Sequence, residues 1–157
     1  MALIFFSETL LLLAAGPTAG LSLSQSTIIV PVLLNFPKKE NQLRAWRATY
    51  FRSVYVQLPL TGTILAFVSF LFYRTGEAGF AVCAMLVAAK YAWTAVMMAV
   101  QLHEPLLTCD QSSEAVTGLI VKWAAAQKIR VLIDLLCLAT ATNSCIRAHS
   151  SHHSLFS

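Results

Sequence analysis

Four residues in the last apolar stretch of the chain have side chains that could do chemistry. They are Trp123, Gln127, Arg130 and Asp134, at positions i, i+4, i+7 and i+11. On an α-helix this spacing places all four on one narrow stripe, and the other faces of that helix carry alanine, leucine, isoleucine and valine. Charged side chains in membrane helices are costly and usually face the protein interior or a wet cavity. The stripe therefore predicts a polar site inside a helical bundle.

Each of the other three apolar stretches carries a polar stripe with the same helical spacing. These stripes are Thr18, Ser22 and Gln25; Gln57 and Thr61; and Lys90, Thr94, Met97 and Gln101. At ~1.5 Å per residue along a helix, Lys90 and Arg130 both fall near the middle of the bilayer. Asp134 lies one turn further along, where it could pair with either. We expect an antiparallel bundle to point these stripes at one another.

The chemistry open to such a pocket is the stabilisation of an anion and the transfer of a proton. A lysine or arginine in a low-dielectric site, here Lys90 or Arg130, stabilises an oxyanion. A desolvated lysine, or a histidine at the pocket mouth such as His103, can act as a base. Tryptophan and tyrosine walls suit a flat aromatic ligand. The candidate ligand-binding residues are Trp123, Gln127, Trp93, Tyr91, Gln25 and Gln101.

The same residues also have a purely structural interpretation. Arg130 and Asp134 are four residues apart and could neutralise each other, while Lys90 extends its side chain towards a loop. A buried ion pair of this kind fixes the register of helices and needs no substrate. From the stripes alone the two interpretations carry similar weight.

Composition identifies the class of protein. The 157 residues are 57% hydrophobic and 11% charged, and the mean hydropathy is +0.69, whereas a soluble domain carries roughly 25% charged residues. These values are typical of an integral, multi-pass membrane protein in contact with lipid. The net charge of +4 does not indicate a nucleic-acid partner, because the basic residues lie in a connecting loop and near helix ends and form no aromatic-interleaved patch.

The sequence gives no pattern for a bound cofactor or metal. It contains no G-x-G-x-x-G, no P-loop and no pair of histidines within an apolar stretch. His103 and Glu104 are adjacent, so on a helix their side chains point about 100° apart. The four cysteines form no C-x-x-C pair, and Cys83 and Cys137 are interpreted as small buried apolar residues. We therefore expect no metal and no organic cofactor.

The apolar stretches predict an all-α, integral membrane, antiparallel four-helix bundle. The predicted domain covers residues 1–142, with spans at about 9–34, 54–73, 80–102 and 116–142. The basic segment 35–53 contains five Lys or Arg residues and one acid, which favours a cytosolic loop by the positive-inside rule. Both termini would then face a lumen or the outside. The Ser/His-rich tail, 143–157, is predicted to be disordered.

The first apolar stretch has features of its own. Its start resembles the core of a signal peptide, but no Lys or Arg precedes it and its apolar character resumes through 28–34, which favours a retained membrane helix. Gly16 and Gly20 form a small-x-x-x-small pair, which indicates close helix packing. This pair is also compatible with a homo-oligomer.

Three blocks of the sequence resemble the anthrone oxygenase-like family of small four-helix membrane proteins, which accompany aromatic polyketide synthases in fungi. Residues 20–34, GLSLSQSTIIVPVLL, resemble the Gly/Ser-rich first helix of that family, and Trp46 and Tyr50 fit its W-x-x-x-Y segment. Residues 93–107 resemble its "Y-T … M-x-P-T-N-x-x-L" segment. The W-x-x-x-Q-x-x-R pattern of 123–130 resembles its W-x-x-x-N-x-x-R. The resemblance covers about residues 10–142.

The chain departs from the pattern of the family at three positions. His103 and Gln127 stand where the family has asparagine, and Val100 stands where proline is usual. The resemblance implies a cofactor-independent monooxygenase of secondary metabolism that oxidises an anthrone to an anthraquinone with molecular oxygen as co-substrate. It also implies the endoplasmic reticulum, or vesicles derived from it, as the location.

On that hypothesis each candidate residue has a role. Arg130 and Lys90 hold the oxyanion and the phenolic oxygens, and Asp134 positions Arg130. His103 is the base, because a histidine titrates near neutral pH. Gln127 orients the substrate and Trp123 stacks on its rings.

Two other classes of function remain open from the sequence. A non-catalytic tetraspan scaffold or interaction protein would have stripes that close into dry ion pairs without a pocket. A transporter or channel subunit is less favoured, because four spans without an internal repeat rarely form a pathway unless the chain oligomerises.

Overall fold

The structure, a computed structural model, describes the backbone of residues 2–110 and 114–153. Side chains are described for the same residues except 2, 99–101 and 149–153. Throughout this described part the chain is helical and contains no strand. The helices are α1 (Ala2–Ser24), α2 (Val30–Leu34), α3 (Lys39–Thr75), α4 (Ala78–Trp93), α5 (Glu104–Thr108) and α6 (Ala115–His153). The π-helical segments Gln25–Ile29 and Thr94–His103 join α1 to α2 and α4 to α5.

Four helical stretches are long and apolar enough to cross a membrane, which confirms the predicted all-α, four-span fold class. They are span 1 (Leu3–Leu34), span 2 (Lys39–Thr75), span 3 (Ala78–Met98) and span 4 (Ala115–Ala148). The short connections at 35–38 and 76–77 make consecutive spans antiparallel. Gly76 provides the tight second connection, because its φ of 68° is left-handed and strained for other residues.

Two segments contain more helix than the sequence predicts. The basic segment 35–53, predicted as a loop whose second half is helical, is helical from Lys39 onward. Most of its polar residues are of types that form helices readily, namely Lys, Arg, Glu and Gln. The side chain of Trp46 is fully buried against the bundle. The tail predicted to be disordered from 143 continues α6 to His153, because Ser144, Cys145 and Ala148 are buried against the other spans. Residues 154–157 lie outside the described chain.

The apolar core is divided into two clusters along the bundle. One cluster lies in the half that holds the 76–77 turn and includes Leu11, Val68, Leu71 and Phe80. The other lies in the half that holds the 35–38 connection, with Leu33, Trp46, Met98 and Ile120 among its members. On every span the residues between the two clusters include the polar stripe found in the sequence. The bundle therefore has a polar layer between two apolar ones.

Candidate functional site

The polar layer contains eight side chains that link all four spans. They are Ser22, Gln25, Gln57, Thr61, Lys90, Gln127, Arg130 and Asp134, and all except Arg130 are buried. Arg130 is half-buried because its side chain lines a cavity. Buried polar groups are stable only when they are hydrogen-bonded. The partners of each group therefore decide what the layer can do.

Lys90 and Asp134 form a closed ion pair between span 3 and span 4. Lys90 Nζ lies 2.6 Å from Asp134 Oδ1, and the Ser22 hydroxyl donates to Asp134 Oδ2 at 2.5 Å. Thr61 lies on the other side of the ammonium group, at 3.4 Å. Both charged side chains are 6% exposed. Each charge is thus neutralised by the other, with no need of a ligand.

This ion pair corrects two of the predicted roles. Asp134 was expected to position Arg130, but its carboxylate oxygens accept from Lys90 and Ser22 instead. Lys90 was expected to hold an oxyanion, and its charge is already engaged by Asp134. The reason is geometric: Lys90 reaches Asp134 from the neighbouring span, whereas Arg130 lies one helical turn away on the same span and extends towards span 2.

Arg130 is bound by neutral groups alone. Its Nη2 donates to Gln57 Oε1 at 2.6 Å and its Nη1 donates to Gln127 Oε1 at 3.3 Å. Among the described residues it forms no salt bridge with a carboxylate. A guanidinium has five N–H groups, and two of them make these bonds. Arg130 Nε and Gln57 Nε2 are both buried without a partner. An unsatisfied buried donor costs about 1–3 kcal/mol, so this end of the layer is set up for an added acceptor.

A chain of amide groups holds Gln127 in place behind Arg130. Gln127 Nε2 donates to Gln25 Oε1 at 2.5 Å, and Gln25 Nε2 donates to the Ser53 hydroxyl, which in turn donates to the carbonyl of Thr49. In this series of hydrogen bonds each group donates to the next, from Gln127 to the carbonyl of Thr49. The series connects spans 4, 1 and 2, and hydrogen bonds arranged in series strengthen one another. Arg130 is therefore held in a defined orientation.

A cavity of about 260 Å³ lies beside this group, close to the ~300 Å³ lower end of the range for ligand pockets. Its polar end is formed by Gln25, Gln57, Lys90 and Arg130, and the rest of its wall is mostly apolar. The full set of lining residues is Gln25, Tyr50, Ser53, Val54, Gln57, Leu58, Thr61, Lys90, Tyr91, Thr94, Ala95, His103, Trp123 and Arg130. The cavity thus combines a largely apolar interior with two cationic side chains, of which Lys90 is paired with Asp134 and Arg130 is not.

Aromatic side chains close the cavity at the end nearest the 35–38 connection. The rings of Tyr50 and His103 are 4.4 Å apart, and Trp46 stacks on Tyr50 with ring centroids 5.2 Å apart and an interplanar angle of 8°. Trp123 meets Trp46 edge-on at 5.8 Å. The two distances that involve Trp46 lie in the favourable range for aromatic pairs, and the Tyr50–His103 distance lies at its short limit. The cluster presents rigid faces to whatever occupies the cavity.

His103 does not have the environment of a general base. Its Nε2 accepts a hydrogen bond from Trp123 Nε1 at 3.2 Å, so the neutral ring carries its proton on Nδ1. Burial, and after it the nearby charge of Arg130, lower the pKa of His103 to about 4. This environment disfavours the predicted role of His103 as the base, since at neutral pH its ring is uncharged and only weakly basic in the wall of the cavity.

The structure brings some of the predicted site residues to the cavity and leaves others outside it. Those that line it are Arg130, His103, Lys90, Trp123, Tyr91 and Gln25. Gln127 and Asp134 act from behind it, through Arg130 and Lys90. Trp93 faces away, donates to the carbonyl of Ala126 and lines a separate outer depression. The side chain of Gln101 lies outside the described residues. Within the described chain, no three His, Cys, Asp or Glu residues are grouped as metal ligands would be.

Span 2 supplies site residues that the sequence interpretation did not select. Tyr50, Ser53, Gln57 and Thr61 all line the cavity. Gln57 and Thr61 were visible as a polar stripe, and Tyr50 belonged to the W-x-x-x-Y segment. Tyr50 and Ser53 were missed because the second half of 35–53 was predicted as an interfacial helix before the second span and not as part of that span. A helix that begins at Lys39 places them on the same inward face as Gln57.

Both π-helical segments lie at the site. Gln25 begins the first segment, and Thr94, Ala95 and His103 belong to the second. Each segment ends two residues before a proline, Pro31 or Pro105. Proline has no N–H group and so cannot complete the usual helical hydrogen bond, which favours the wider turn just before it. π-Helical turns occur often at functional sites.

No protein-family model, curated protein or solved structure matches this chain. The sequence features and the geometry of the polar layer are thus the grounds on which a function can be argued.

Proposed function

We propose that this protein is a membrane-embedded, cofactor-independent oxygenase that oxidises an anthrone-type polyphenol to an anthraquinone with O2. The observation that carries the proposal is the position of Arg130. It is a cation bound only by amide oxygens, beside a cavity with aromatic walls. The resemblance of residues 10–142 to the anthrone oxygenase-like family supports the same reading and suggests a role in aromatic polyketide biosynthesis on endoplasmic reticulum membranes.

The proposed reaction proceeds through an anion of the substrate, which can react with O2 without a catalytic metal or flavin. An anthrone has an acidic methylene group, and loss of one proton gives an electron-rich anion whose charge lies mainly on the ring oxygen. That anion reduces O2 directly and forms a C–O bond at the former methylene carbon. Loss of the second methylene hydrogen with cleavage of the O–O bond then gives the quinone carbonyl and one molecule of water.

Arg130 has the central role in this proposal. A preorganised cation in a low-dielectric site stabilises a developing oxyanion strongly, and Arg130 lines the cavity in which the anionic oxygen would lie. By favouring the ionised ligand, Arg130 lowers the basicity needed in the acceptor of the methylene proton. A water molecule held in the cavity suffices as that acceptor, and it returns the proton to the peroxide that forms next. This is consistent with the hydrogen-bonded, poorly basic state of His103.

The aromatic walls and the ion pair have supporting roles. Trp123 and Tyr50 would contact the faces of the ligand, and the neutral His103 would donate from Nδ1 to a ligand oxygen. Lys90 and Asp134 fix spans 3 and 4 relative to each other. Positioning and exclusion of water account for much of the barrier reduction available to such a site.

The test is oxygen uptake by the purified protein in detergent with emodin anthrone as substrate. Chelated buffer and a protein-free control are needed, because anthrones autoxidise. Arg130→Gln should lose most of the acceleration, and Lys128→Gln should not, because Lys128 is an exposed cation on the same span outside the cavity. Full turnover by folded Arg130→Gln protein would contradict the role of Arg130.

A second candidate is a non-catalytic tetraspan scaffold. The closed ion pair of Lys90 and Asp134, completed by Ser22, favours it, because this group ties three spans together without a ligand. The cavity and the lack of a carboxylate partner for Arg130 are not needed by a scaffold. A wild-type protein that is folded, binds no tricyclic phenol and does not accelerate oxygen uptake would favour the scaffold.

A further inference from the structure

Span 3 leans away from span 2 where its π-helical segment begins. Ala78–Trp93 packs along α3. By contrast, among the described residues no Cα atom of Thr94–His103 comes within 8 Å of a Cα atom of Lys39–Thr75. The wider π-helical turns redirect the helix and open a wedge between the two spans. The cavity occupies this wedge, since its lining residues on span 3 are Lys90, Tyr91, Thr94 and Ala95.

The outer side of the wedge is exposed at the level of the apolar core of the membrane. Val54 and Leu58 on span 2 are 38% and 57% exposed, and Tyr91 on span 3 is 36% exposed. Ala95, which has the smallest side chain of the four, is exposed as well. All four residues also line the cavity. Each lies in the central part of a helix that is long and apolar enough to cross a membrane, so in a bilayer these exposed side chains would face lipid tails.

The end of the cavity nearest the 35–38 connection is closed by contrast. Tyr50, His103 and Trp123 cover it, and Trp46 packs behind them. His103, Trp46 and Trp123 are all buried. A ligand coming from the aqueous side would have to displace this cluster, whereas a ligand in the bilayer meets the exposed side chains of Val54, Leu58, Tyr91 and Ala95.

We propose that ligands reach the cavity from the bilayer, through the opening between span 2 and span 3, and that Leu58 and Ala95 limit the width of the molecule admitted. This rests on the proposed function for the class of ligand, a flat apolar molecule with one ionisable oxygen. Such a molecule dissolves in lipid while it is neutral. It would become an anion only after it reaches Arg130 at the polar end of the cavity.

The route can be tested with the rate at which a tricyclic phenol binds, measured without any turnover. The probe is 2-hydroxyanthraquinone, added to the protein in phosphatidylcholine nanodiscs and followed by energy transfer from tryptophan. Ala95→Trp and Leu58→Trp should each slow association about tenfold, and Leu58→Ala should speed it. Met85→Trp and Leu65→Trp are the matched controls, because both residues are exposed on the same two spans but do not line the cavity.

The possible outcomes separate this proposal from the oxygenase. Association rates that are unchanged in both tryptophan variants, while the protein binds the probe, would overturn the lipid route and leave the oxygenase standing. Slowed association together with no oxygen uptake would support the route and count against the oxygenase. A wild-type protein that retains a lipid chain in the cavity and does not bind the probe would overturn the route as stated.

Discussion

The ion pair of Lys90 and Asp134 allows a quantitative prediction about stability. Its two charges are 2.6 Å apart and each side chain is 6% exposed, so removal of one partner leaves the other charge buried without its counter-ion. Breaking a buried pair by removal of one partner costs about 3–5 kcal/mol, whereas replacement of both by apolar residues is often close to neutral. We therefore expect Asp134→Leu and Lys90→Met each to destabilise the bundle by about 3–5 kcal/mol.

The double variant should lose much less free energy of unfolding than the two single variants lose together. If Asp134→Leu/Lys90→Met costs about 1–3 kcal/mol in total, the coupling energy of the pair is at least about 3 kcal/mol, far above the 0.5 kcal/mol limit of additive behaviour. The assay is a double-mutant cycle in mixed micelles, with the free energy of unfolding measured by titration with a denaturing detergent and followed by tryptophan fluorescence.

The chain contains a matched control for this cycle. Arg44 and Glu40 are also an ion pair, at 2.9 Å, but their side chains are 71% and 50% exposed. An exposed pair four residues apart on a helix contributes about 0.3–0.5 kcal/mol, so Glu40→Leu/Arg44→Met should show a coupling of that size. Single variants at Lys90 and Asp134 that cost less than 1 kcal/mol, or a coupling no larger than that of the exposed pair, would refute the buried ion pair.

Two further predictions concern the cavity. Gln57→Leu removes the acceptor of Arg130 Nη2 and should lower kcat/KM for emodin anthrone about tenfold in the oxygen-uptake assay, whereas Leu65→Ala should leave it unchanged. For His103, the pKa is about 4 in the folded protein and 6.5 when unfolded. The unfolded chain thus binds more protons between these values, and the wild type loses stability as pH falls from about 6.5 to about 4. In thermal unfolding at a series of pH values, His103→Gln should abolish that part of the loss. If His103 has no role as a base, the variant should also keep most of the activity at neutral pH. A variant with the wild-type pH dependence or with no turnover would contradict this account.

The periodicity of polar residues was sufficient to predict the layer at the centre of the bundle. Gln25, Gln127 and Asp134 are buried. This was expected, because each belongs to a set of polar residues spaced by whole helical turns on one face of an apolar helix. A membrane helix must direct such residues inward, and the spacing alone identifies which residues they are. The fold class followed for the same reason, from four apolar stretches of sufficient length.

The partners within the layer could not be predicted from the same pattern. Asp134 has Arg130 one turn away on its own helix, which made that pair the natural expectation. The structure pairs Asp134 with Lys90 instead, because the choice depends on the rotation of span 3 about its axis and on its distance from span 4. Neither quantity is contained in the periodicity of one helix. The consequence for function is large, since it is Arg130 and not Lys90 that has no carboxylate partner.

Local irregularities explain most of the other differences. The π-helical segment from Thr94 to His103 changes the direction of the residues after Trp93, so a regular helix misplaces Met97, which lines the outer depression beside Trp93. The basic segment was assigned to a loop from its charge, but a row of lysines and arginines is compatible with a helix whose other face is buried. Trp46 provides that buried face.

The central claim is that Arg130 stabilises an oxyanion inside the bundle, and the ionisation of a bound phenol tests it most directly. The absorption of 2-hydroxyanthraquinone moves to longer wavelength when its phenol ionises, so its spectrum bound to the protein can be recorded against pH. We expect the bound phenol to ionise at least about one pH unit below its value in empty micelles, equivalent to about 1.4 kcal/mol, and to lose this shift in Arg130→Gln but not in Lys128→Gln. Ionisation at the same or a higher pH when bound to the wild-type protein would contradict the claim.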